Sequence, residues 1–349
     1  MDKLKRDAGP GVPLSKLATT NAIILRDYKE LVKFLVVERL KAMIECDLIE
    51  GPQDLIELGI RDPVRLFIKN EPHKRAKLLE GKLRLISNVS LVDQLVERLL
   101  GNRQNVAEID RWETCPSKPG LSLADGGLRS MARYFQRELQ ECGTLECKDV
   151  KGWDWSVQQW ELEADAECRF RLMDGADAFA WHMLQVQAHS VGNSVYVVPD
   201  GSLIAQTSPG VQLSGSYWTS SSNSRMRIIA SLVARQMVGV PLKGPIHMCA
   251  MGDDSVECSW PGLDEALDKL GHSIKFSTKY TRLEDVSFCS HQWRADGLAM
   301  PENVMKTFYR YLSHKPGDDH YPEWYMQLSL DLRNSPHPVK EPLLRTARR

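Results

Sequence analysis

Residues 247–258 read HMCAMGDDSVEC, in which two short apolar runs flank Gly252, Asp253 and Asp254. This pattern predicts a β-hairpin with both aspartates at its tip. Two carboxylates about 4 Å apart repel by ~1 kcal/mol in water and by ~4 kcal/mol at an effective dielectric of 20. A partly buried pair therefore needs a raised pKa or a bound cation. Because aspartate is also common in ordinary turns, the tripeptide alone is weak evidence for a functional site.

The same tripeptide recurs at residues 317–319, between Pro316 and His320. No apolar run flanks this second copy, so we predict only a solvated turn there. The interpretation of the first copy therefore depends on which other groups accompany it in the chain.

Composition sets wide limits on the kind of protein. The 349 residues are 42% hydrophobic, enough to bury a substantial core in one large domain or in two to three subdomains. The formal net charge is -1, so contact with nucleic acid would depend on local basic patches. We expect no membrane-spanning segment and no signal peptide. The eight cysteines form no CxxC pair, and we predict that all are reduced thiols. They are Cys46, Cys115, Cys142, Cys147, Cys168, Cys249, Cys258 and Cys289.

Hydrophobic periodicity predicts an α+β layer in which helices cover one side of an antiparallel sheet. The predicted strands are 65–68, 83–86, 144–150, the two arms of the hairpin, and a short pair near 273–277 and 286–290. The predicted helices are 23–46, 91–100, 126–141, 157–173, one after residue 216 that ends near 239, and 263–270. The segment after Pro316 is rich in proline and charge, and we expect it to be weakly ordered.

Two further aspartates lie where a strand ends and a helix begins. Asp149 is near the end of the strand 144–150, and Asp154 follows five residues later. Carboxylates at strand ends of separate segments suit a pair of Mg²⁺ ions, which prefer carboxylate and phosphate oxygens. Such a two-ion site acts on the attacking and leaving oxygens of a phosphoryl transfer.

The stretch SGSYWTSSSNSR, residues 214–225, combines a loop with a helix start. Ser214 and Gly215 belong to the loop, where glycine lets the backbone approach a ligand closely. Thr219 and Asn223 are four residues apart and so share a helix face, from which both can hydrogen-bond a ribose hydroxyl. Alone, the stretch is equally typical of a helix N-terminus rich in capping residues.

A basic run lies between the first two predicted strands. Such runs are usually solvated faces. Arg84 and Lys82, however, fall within the apolar run 83–86 or beside it, and the arginine fork matches phosphate geometry. The run comprises Lys69, Lys74, Arg75, Lys77, Lys82 and Arg84.

Six motifs in order resemble those of the RNA-dependent RNA polymerases of positive-strand RNA viruses. They are GPGVP at 9–13, KNEPHKRAKLLEGKLRLI at 69–86, DVKGWD at 149–154, SGSYWTSSSN at 214–223, MGDD at 251–254 and FCSH at 288–291. The runs around Asn223 and Asp253 are most similar to the sobemovirus and polerovirus polymerases. The resemblance extends from Gly9 to about Leu312, and six ordered motifs are far more specific than any one.

This resemblance implies a right-hand fold and template-directed RNA synthesis from ribonucleoside triphosphates. We expect N-terminally short fingers at 1–142, a palm at 143–290 with a fingers insertion around 175–210, and a thumb at 291–349. The implied cofactor is a pair of Mg²⁺ ions, with Mn²⁺ as an alternative. The implied partners are template and nascent RNA, rNTPs and other viral replication proteins. The implied location is the host cytoplasm, in replication complexes that reach membranes through partners.

The resemblance also implies a role for individual residues. Asp149 and Asp253 would hold the metal ions, with Asp254 as a supporting ligand. The nucleotide would be recognised by Lys69, Lys77, Arg84, Asp154, Ser214, Thr219 and Asn223, with Glu71 bracing the basic groups. The template and primer would contact Gly9, Pro10, Gly11, Val12, Pro13, Phe288, Cys289, Ser290 and His291. The proton donor to pyrophosphate would be Lys279, with Lys275 as a competitor.

Two other functions remain open. A reverse transcriptase would share the palm carboxylates but normally blocks the 2′-hydroxyl with a bulky side chain, where this chain has Asp154 and Asn223. A non-catalytic RNA-binding scaffold would have retained the fold, although the complete carboxylate set argues against it. Incorporation of rNTPs against dNTPs separates the first of these alternatives, and RNA extension separates the second.

Overall fold

The computed structural model describes residues 4–69, 75–313 and 320–348 and shows a mixed α+β chain. Its helices are α1 (Asn21–Asp27), α2 (Lys29–Ile44), α3 (Pro52–Glu57), α4 (Arg75–Leu79), α5 (Leu91–Asp110), α6 (Asp125–Cys142), α7 (Trp153–Ser156), α8 (Gln159–Arg171), α9 (Ala178–Gly192), α10 (Thr219–Met237), α11 (Leu263–Lys269), α12 (Val304–Ser313), α13 (Tyr321–Asp331) and α14 (His337–Ala347). Its strands are β1 (Val64–Ile68), β2 (Leu85–Asn88), β3 (Leu145–Val150), β4 (Val195–Val197), β5 (Leu203–Ala205), β6 (Met248–Met251), β7 (Asp254–Cys258), β8 (Ile274–Tyr280), β9 (Ser287–Phe288), β10 (His291–Trp293) and β11 (Ala299–Pro301).

The central sheet has the order β6-β7-β3-β8, and its neighbouring strands are antiparallel. β6 and β7 form the predicted hairpin, and β3 is the predicted strand 144–150. The register pairs Lys148 of β3 with Ser255 of β7 and with Ser277 of β8. Because β3 lies next to β7 in this register, Asp149 lies beside the hairpin tip.

Both faces of the central sheet are covered, and not one as the pattern predicted. Leu145 and Val256 pack on one face against the apolar side of α6. The opposite face is polar yet buried: Glu257 pairs with Arg227 of α10 at 3.1 Å, and Lys148 pairs with Asp264 of α11. The charged residues of these strands thus point into the protein and meet partners on two helices.

A second sheet, ordered β2-β1-β4-β5, joins two distant segments of the chain. β1 and β2 are the predicted antiparallel pair, and β1 is parallel to β4. β2 begins at Leu85, so Lys82 and Arg84 precede the strand and do not lie within it as predicted. Lys69 continues the ladder, because its N–H donates to the carbonyl of Arg84 at 2.8 Å.

Several predicted elements differ from the structure. The helix predicted at 23–46 is divided into α1 and α2 at Tyr28. The strands near 273–277 and 286–290 do not pair with each other: β8 pairs with β3, and β9 pairs with β10. The segment after Pro316 contains α13 and α14, each with a proline in its first turn, where the missing N–H costs nothing. The second Gly-Asp-Asp lies outside the described residues.

One pair of cysteines departs from the prediction of reduced thiols. Cys142, at the end of α6, and Cys258, at the end of β7, form a disulfide. The other six cysteines are free thiols, as predicted. Within the described ranges, no helix is both long and apolar enough to cross a bilayer.

Candidate active site

The tip of the β6–β7 hairpin is a two-residue turn held from beneath by α10. Gly252 has φ +65°, a left-handed conformation that glycine adopts without steric cost. Its N–H donates to the hydroxyl of the buried Ser224 at 2.9 Å, and that hydroxyl donates to the carbonyl of Ser220 at 2.7 Å. The helix that carries Asn223 therefore fixes the position of Asp253.

Three aspartates meet at this tip, two from strands and one from the turn. Extending the β3–β7 register by one residue places Asp149 opposite Asp254, and Asp253 precedes it in the turn. Asp254 keeps part of its surface exposed, yet desolvation by the surrounding protein, followed by the charges of Asp253 and Asp149, raises its pKa to about 6. The carboxylates predicted to act together are thus close enough to oppose each other's ionisation.

Glu302 is a fourth acid at this site that sequence reasoning missed. Its charge also raises the pKa of Asp254, and its N–H donates to the carbonyl of Ser290 at 3.0 Å. The residue follows β11, so its approach depends on how the β9–β11 sheet folds back over the β6–β7 hairpin. No local sequence pattern marks it.

Asp154 and Asn223, both expected to recognise the ribose 2′-hydroxyl, are in direct contact. The Asn223 amide donates to the Asp154 carboxylate at 2.8 Å, and its oxygen accepts from the Trp153 indole N–H at 3.0 Å. Desolvation raises the pKa of Asp154. The hydrogen bond from Asn223 and the charge of Arg84 oppose this rise, whereas the charge of Asp253 adds to it. The pair therefore lies beside the acidic cluster and within reach of the basic run.

Ser214 and Thr219 lie in the loop and helix start beside this pair, but they make structural contacts. The Ser214 hydroxyl accepts from the N–H of Ser87 in β2 at 3.1 Å. The Thr219 hydroxyl donates to backbone carbonyls of Leu213 at 2.7 Å and Ser216 at 2.8 Å. The Thr219 hydroxyl is therefore engaged by the loop, and α10 begins after Trp218 without the side-chain cap that the alternative interpretation of this stretch expected.

The basic run is only partly described. Arg84 is exposed, and its charge lowers the pKa of Asp154, which places it near the site. Lys69 lies beside Arg84 on the ladder, and Lys77 is exposed on α4. Glu71 and Lys74 lie outside the described residues.

The two candidate lysines on β8 occupy different positions. The Lys275 ammonium is 2.5 Å from the Asp149 carboxylate. Lys279 pairs in register with Glu146, three residues away from Asp149 along β3, or about 10 Å at the rise of a strand. The geometry therefore favours Lys275 over the Lys279 assignment, because only Lys275 touches the acidic cluster.

The loop 9–13 lies against the end of β2 and the start of α5. The carbonyl of Pro10 accepts from the N–H of Leu91 at 2.8 Å. Gly11 has φ +71°, and a Cβ there would lie 2.7 Å from Ser90 Cα, so only glycine fits. This loop is therefore fixed beside the second sheet.

The turn 288–291 connects β9 to β10 and packs against the β6–β7 hairpin. Cys289 and Ser290 have φ of 52° and 58°, both left-handed, as a two-residue hairpin turn requires. Cys289 Sγ is 3.6 Å from Met251 Sδ, beside the Gly252 turn. Burial, followed by the charge of Asp254, raises the pKa of the Cys289 thiol. The predicted primer-contacting turn and the aspartates thus share one site.

Glu97 is a buried acid that positions the loop before α10, and sequence reasoning missed it. Its carboxylate accepts from the Tyr217 N–H at 2.6 Å and from the Ser216 hydroxyl at 3.0 Å. Burial raises its pKa to about 7, although Arg61 and these hydrogen bonds oppose the rise. Its place in the run LVDQLVERLL is typical of the polar side of an amphipathic helix, so nothing there indicated burial.

Replacing Glu97 with glutamine is expected to flatten the pH dependence of stability. Because folding raises the pKa of this carboxyl from 4.5 to about 7, its contribution is fully present below the unfolded pKa. That contribution is lost as the pH rises through about 7, which lowers the free energy of unfolding by up to about 3 kcal/mol. Denaturant unfolding from about pH 5 to about pH 8 measures this loss. Glu163→Gln, at an exposed position of α8, is the control, and parallel curves for the wild type and Glu97→Gln would contradict the prediction.

The chemistry of the aspartate cluster fits a divalent cation. Asp149, Asp253 and Asp254 offer several carboxylate oxygens, which are the ligands that hard ions such as Mg²⁺ prefer. Burial raises the pKa of Asp254, their mutual repulsion adds to that rise, and a bound cation removes such repulsion. The neighbouring Asp154–Asn223 pair adds groups that can hydrogen-bond a sugar hydroxyl.

Comparison with known proteins identifies relatives over nearly the whole chain. The family model described as "Viral RNA-directed RNA-polymerase" matches residues 4–300. The RNA-directed RNA polymerase of Mushroom bacilliform virus is 44% identical over 98% of this chain and 82% of its own length.

Two further relatives are longer proteins, and this chain matches a part of each. The replicase polyprotein P2AB of Southern bean mosaic virus is 42% identical over 96% of this chain. Protein P1-P2 of Turnip yellows virus is 40% identical over 80% of this chain. The chain spans about a third of the polyprotein and about a quarter of P1-P2, at 34% and 27% of their lengths. These matches confirm the resemblance to sobemovirus and polerovirus polymerases.

Proposed function

This chain belongs to the family of viral RNA-directed RNA polymerases, and from that premise we propose that it replicates and transcribes a viral RNA genome by two-metal nucleotidyl transfer. The observation that carries the mechanism is the meeting of Asp149, Asp253 and Asp254 at one hairpin tip, where burial raises the pKa of Asp254 and the charges of the other two raise it further. The product is RNA extended at its 3′ end from rNTPs.

The proposed reaction needs positioning more than covalent chemistry. Asp149 and Asp253 would hold two Mg²⁺ ions with Asp254 in support, and Mn²⁺ is the alternative cation. Bound ions of this kind supply Lewis acidity at the attacking and leaving oxygens. The chain itself holds the carboxylates on a turn that Ser224 fixes, so the groups are ordered before substrate arrives.

The Asp154–Asn223 pair is proposed to recognise the ribose 2′-hydroxyl. Asn223 is held by both Trp153 and Asp154, so its orientation is set before a nucleotide binds. Ser214 and Thr219 would act by supporting the loop and helix start, since their hydroxyls contact backbone groups. Lys69, Lys77 and Arg84 would contact the triphosphate, and the effect of Arg84 on Asp154 supports that approach.

We assign fingers to 1–142, palm to 143–290 and thumb to 291–349. The central sheet and its hairpin support the palm. The second sheet supports a fingers insertion around 175–210, because β4 and β5 from that segment pair with β1. The cluster that α12, α13 and α14 form around Phe308 and Leu332 supports a separate C-terminal unit.

The template strand is proposed to follow the loop 9–13, and the primer end the turn 288–291. The contact of Cys289 with Met251 supports the second assignment, because it sets the turn beside the aspartates. RNA and rNTPs are the partners that the family implies. Other viral replication proteins would bring the enzyme to membrane-associated complexes in the host cytoplasm.

Extension of a short primed RNA template by the purified chain tests this function. We expect Mg²⁺-dependent addition of ribonucleotides and a steep loss of RNA binding as salt rises, since phosphate contacts dominate such binding. Preferential use of dNTPs would favour a reverse transcriptase. RNA binding without extension in Mg²⁺ or Mn²⁺ would favour a non-catalytic scaffold.

Replacing Lys275 with alanine is expected to slow incorporation roughly a hundredfold, the usual contribution of a general acid. Lys275 contacts Asp149, so its ammonium can reach pyrophosphate leaving the same cluster. Single-turnover incorporation rates measure the effect. Lys279→Ala is the matched control and should change little.

The variant Lys275→Arg separates proton donation from ion pairing. Arginine keeps the positive charge beside Asp149 but does not release a proton near neutral pH. Failure of Lys275→Arg to restore the rate is expected of a proton donor. A larger loss in Lys279→Ala than in Lys275→Ala would return the role to Lys279.

A further inference from the structure

Four metal-ligating side chains meet at the end of the palm hairpin opposite its tip. One ligand atom from each of Glu138, Cys142, His247 and Cys258 lies within 4.8 Å of those of the other three. Glu138 and Cys142 are four residues apart on α6 and so share one face. The carbonyl of His247 accepts from the N–H of Cys258 at 3.0 Å, which closes the hairpin there.

The four side chains of this cluster contact one another through their potential ligand atoms. His247 Nδ1 is 2.8 Å from one Glu138 oxygen, and Arg137 donates to the other oxygen at 2.9 Å. Cys142 and Cys258 face each other closely enough to be joined as a disulfide. Glu138 and Cys258 are buried, so any cation held here would be largely withdrawn from solvent.

We propose that Glu138, Cys142, His247 and Cys258 bind one zinc ion when the two cysteines are reduced. Two thiolates, an imidazole and a carboxylate make four N, S and O donors, the number that a closed tetrahedral zinc site uses. The two soft sulfur ligands favour zinc over the hard cations of the aspartate cluster. The surroundings supply outer partners as well, because Arg137 fixes Glu138 and Arg235 donates to the His247 carbonyl at 3.1 Å.

The disulfide and the zinc site are two states of the same residues. A thiol reductant supplies two electrons and two protons: two reductant thiols become one disulfide, and the Cys142–Cys258 bond becomes two thiols. Zinc binding then releases the two thiol protons as the thiolates coordinate. Both states join α6 to the end of β7, the strand that begins at Asp254, so either state ties the catalytic hairpin to its supporting helix.

Zinc content and thiol number of the full chain test this assignment. The chain is purified in a thiol reductant, dialysed against a metal-free buffer and titrated with Zn²⁺ alone. We expect about one tightly bound zinc per chain and roughly tenfold or greater loss of affinity in Cys142→Ser, Cys258→Ser and His247→Ala. Cys168→Ser, a free thiol on α8 away from the cluster, is the matched control and should keep wild-type affinity.

Cobalt spectra of the wild type keep the test independent of how the variants fold. Reduced wild type loaded with Co²⁺ should show the intense thiolate-to-cobalt charge-transfer band of a tetrahedral site, and Zn²⁺ should displace it. After oxidation, the chain should lose both the band and two titratable thiols. Absence of the band in folded, reduced wild type would contradict the zinc site, and the cluster would then be only a disulfide and an ion pair. Zinc binding that survives in both serine variants would also overturn the site.

Discussion

Replacing Asp253 with alanine is expected to abolish nucleotide incorporation while RNA binding persists. The residue lies in the turn between β6 and β7, and its charge adds to the rise that burial causes in the pKa of Asp154 and of Asp254. Removing it takes a ligand from the proposed metal site, where Lewis-acid stabilisation amounts to several kcal/mol. The expected loss is therefore roughly a thousandfold or more in single-turnover incorporation.

The experiment measures incorporation and RNA affinity on the same preparations. Asp253→Asn retains the size of the side chain and should be nearly as impaired, because the missing feature is the charge. Asp200→Ala removes an exposed turn aspartate from the segment between β4 and β5 and should extend RNA at the wild-type rate. RNA affinity should stay unchanged in all three, since phosphate contacts come from basic groups.

Wild-type incorporation by Asp253→Ala would exclude the proposed metal site. If Asp253→Ala loses both RNA binding and incorporation, the turn has a structural role instead. The melting temperature separates the second case, since a chain that still folds with an intact hairpin should melt near the wild type.

Local sequence patterns were sufficient where one periodicity dominates. The hairpin around Asp253, the strand that ends near Asp149 and the long helix after residue 216 all occur close to their predicted positions. Each is an apolar run ended by glycine or polar residues, so propensity and burial favour the same structure. The fold class followed from these elements.

The same patterns failed where charged residues are buried. Lys148 and Glu257 alternate with apolar residues, so each strand has one apolar and one charged face. In the structure both are almost fully buried, because partners on α10 and α11 neutralise them. Pairing across long separations is invisible to a local pattern, and for this reason helices were expected on only one side of the sheet.

The site residues divide in a similar way. Asp154 and Asn223 were both assigned to ribose recognition by the resemblance, and they form a hydrogen bond at 2.8 Å. Glu97 and Glu302 were missed, because one depends on a loop from a distant segment and the other on a sheet folding back over the hairpin. Which of Lys275 and Lys279 lies beside Asp149 depends on the register of β8 against β3, which spacing along the chain does not supply.

Replacing Asn223 with alanine is expected to weaken discrimination between rNTPs and dNTPs with a smaller effect on the rate with rNTPs. The Asn223 amide is held between the Trp153 indole and the Asp154 carboxylate. A site built to hydrogen-bond a hydroxyl rejects substrates that lack it, because its buried polar groups are then left unpaired. Removing the amide should lower the ratio of kcat/KM for rNTP to that for dNTP by roughly tenfold to a hundredfold.

Trp153→Phe is the matched control for the orientation of this amide. It removes the indole donor but leaves the Asp154 contact in place, so we expect a smaller loss of discrimination than in Asn223→Ala. Asp154→Asn tests the other partner and should fall between them if the carboxylate only orients Asn223. A selectivity ratio that stays at the wild-type value in Asn223→Ala, with the chain folded and active, would exclude the amide from ribose recognition.

Because Asn223 is adjacent to Ser224, which holds the Gly252 turn, the rNTP rate of each variant must also be compared with the wild type. Loss of selectivity together with an unchanged rNTP rate is the result expected of a group that senses the sugar and does not support the turn.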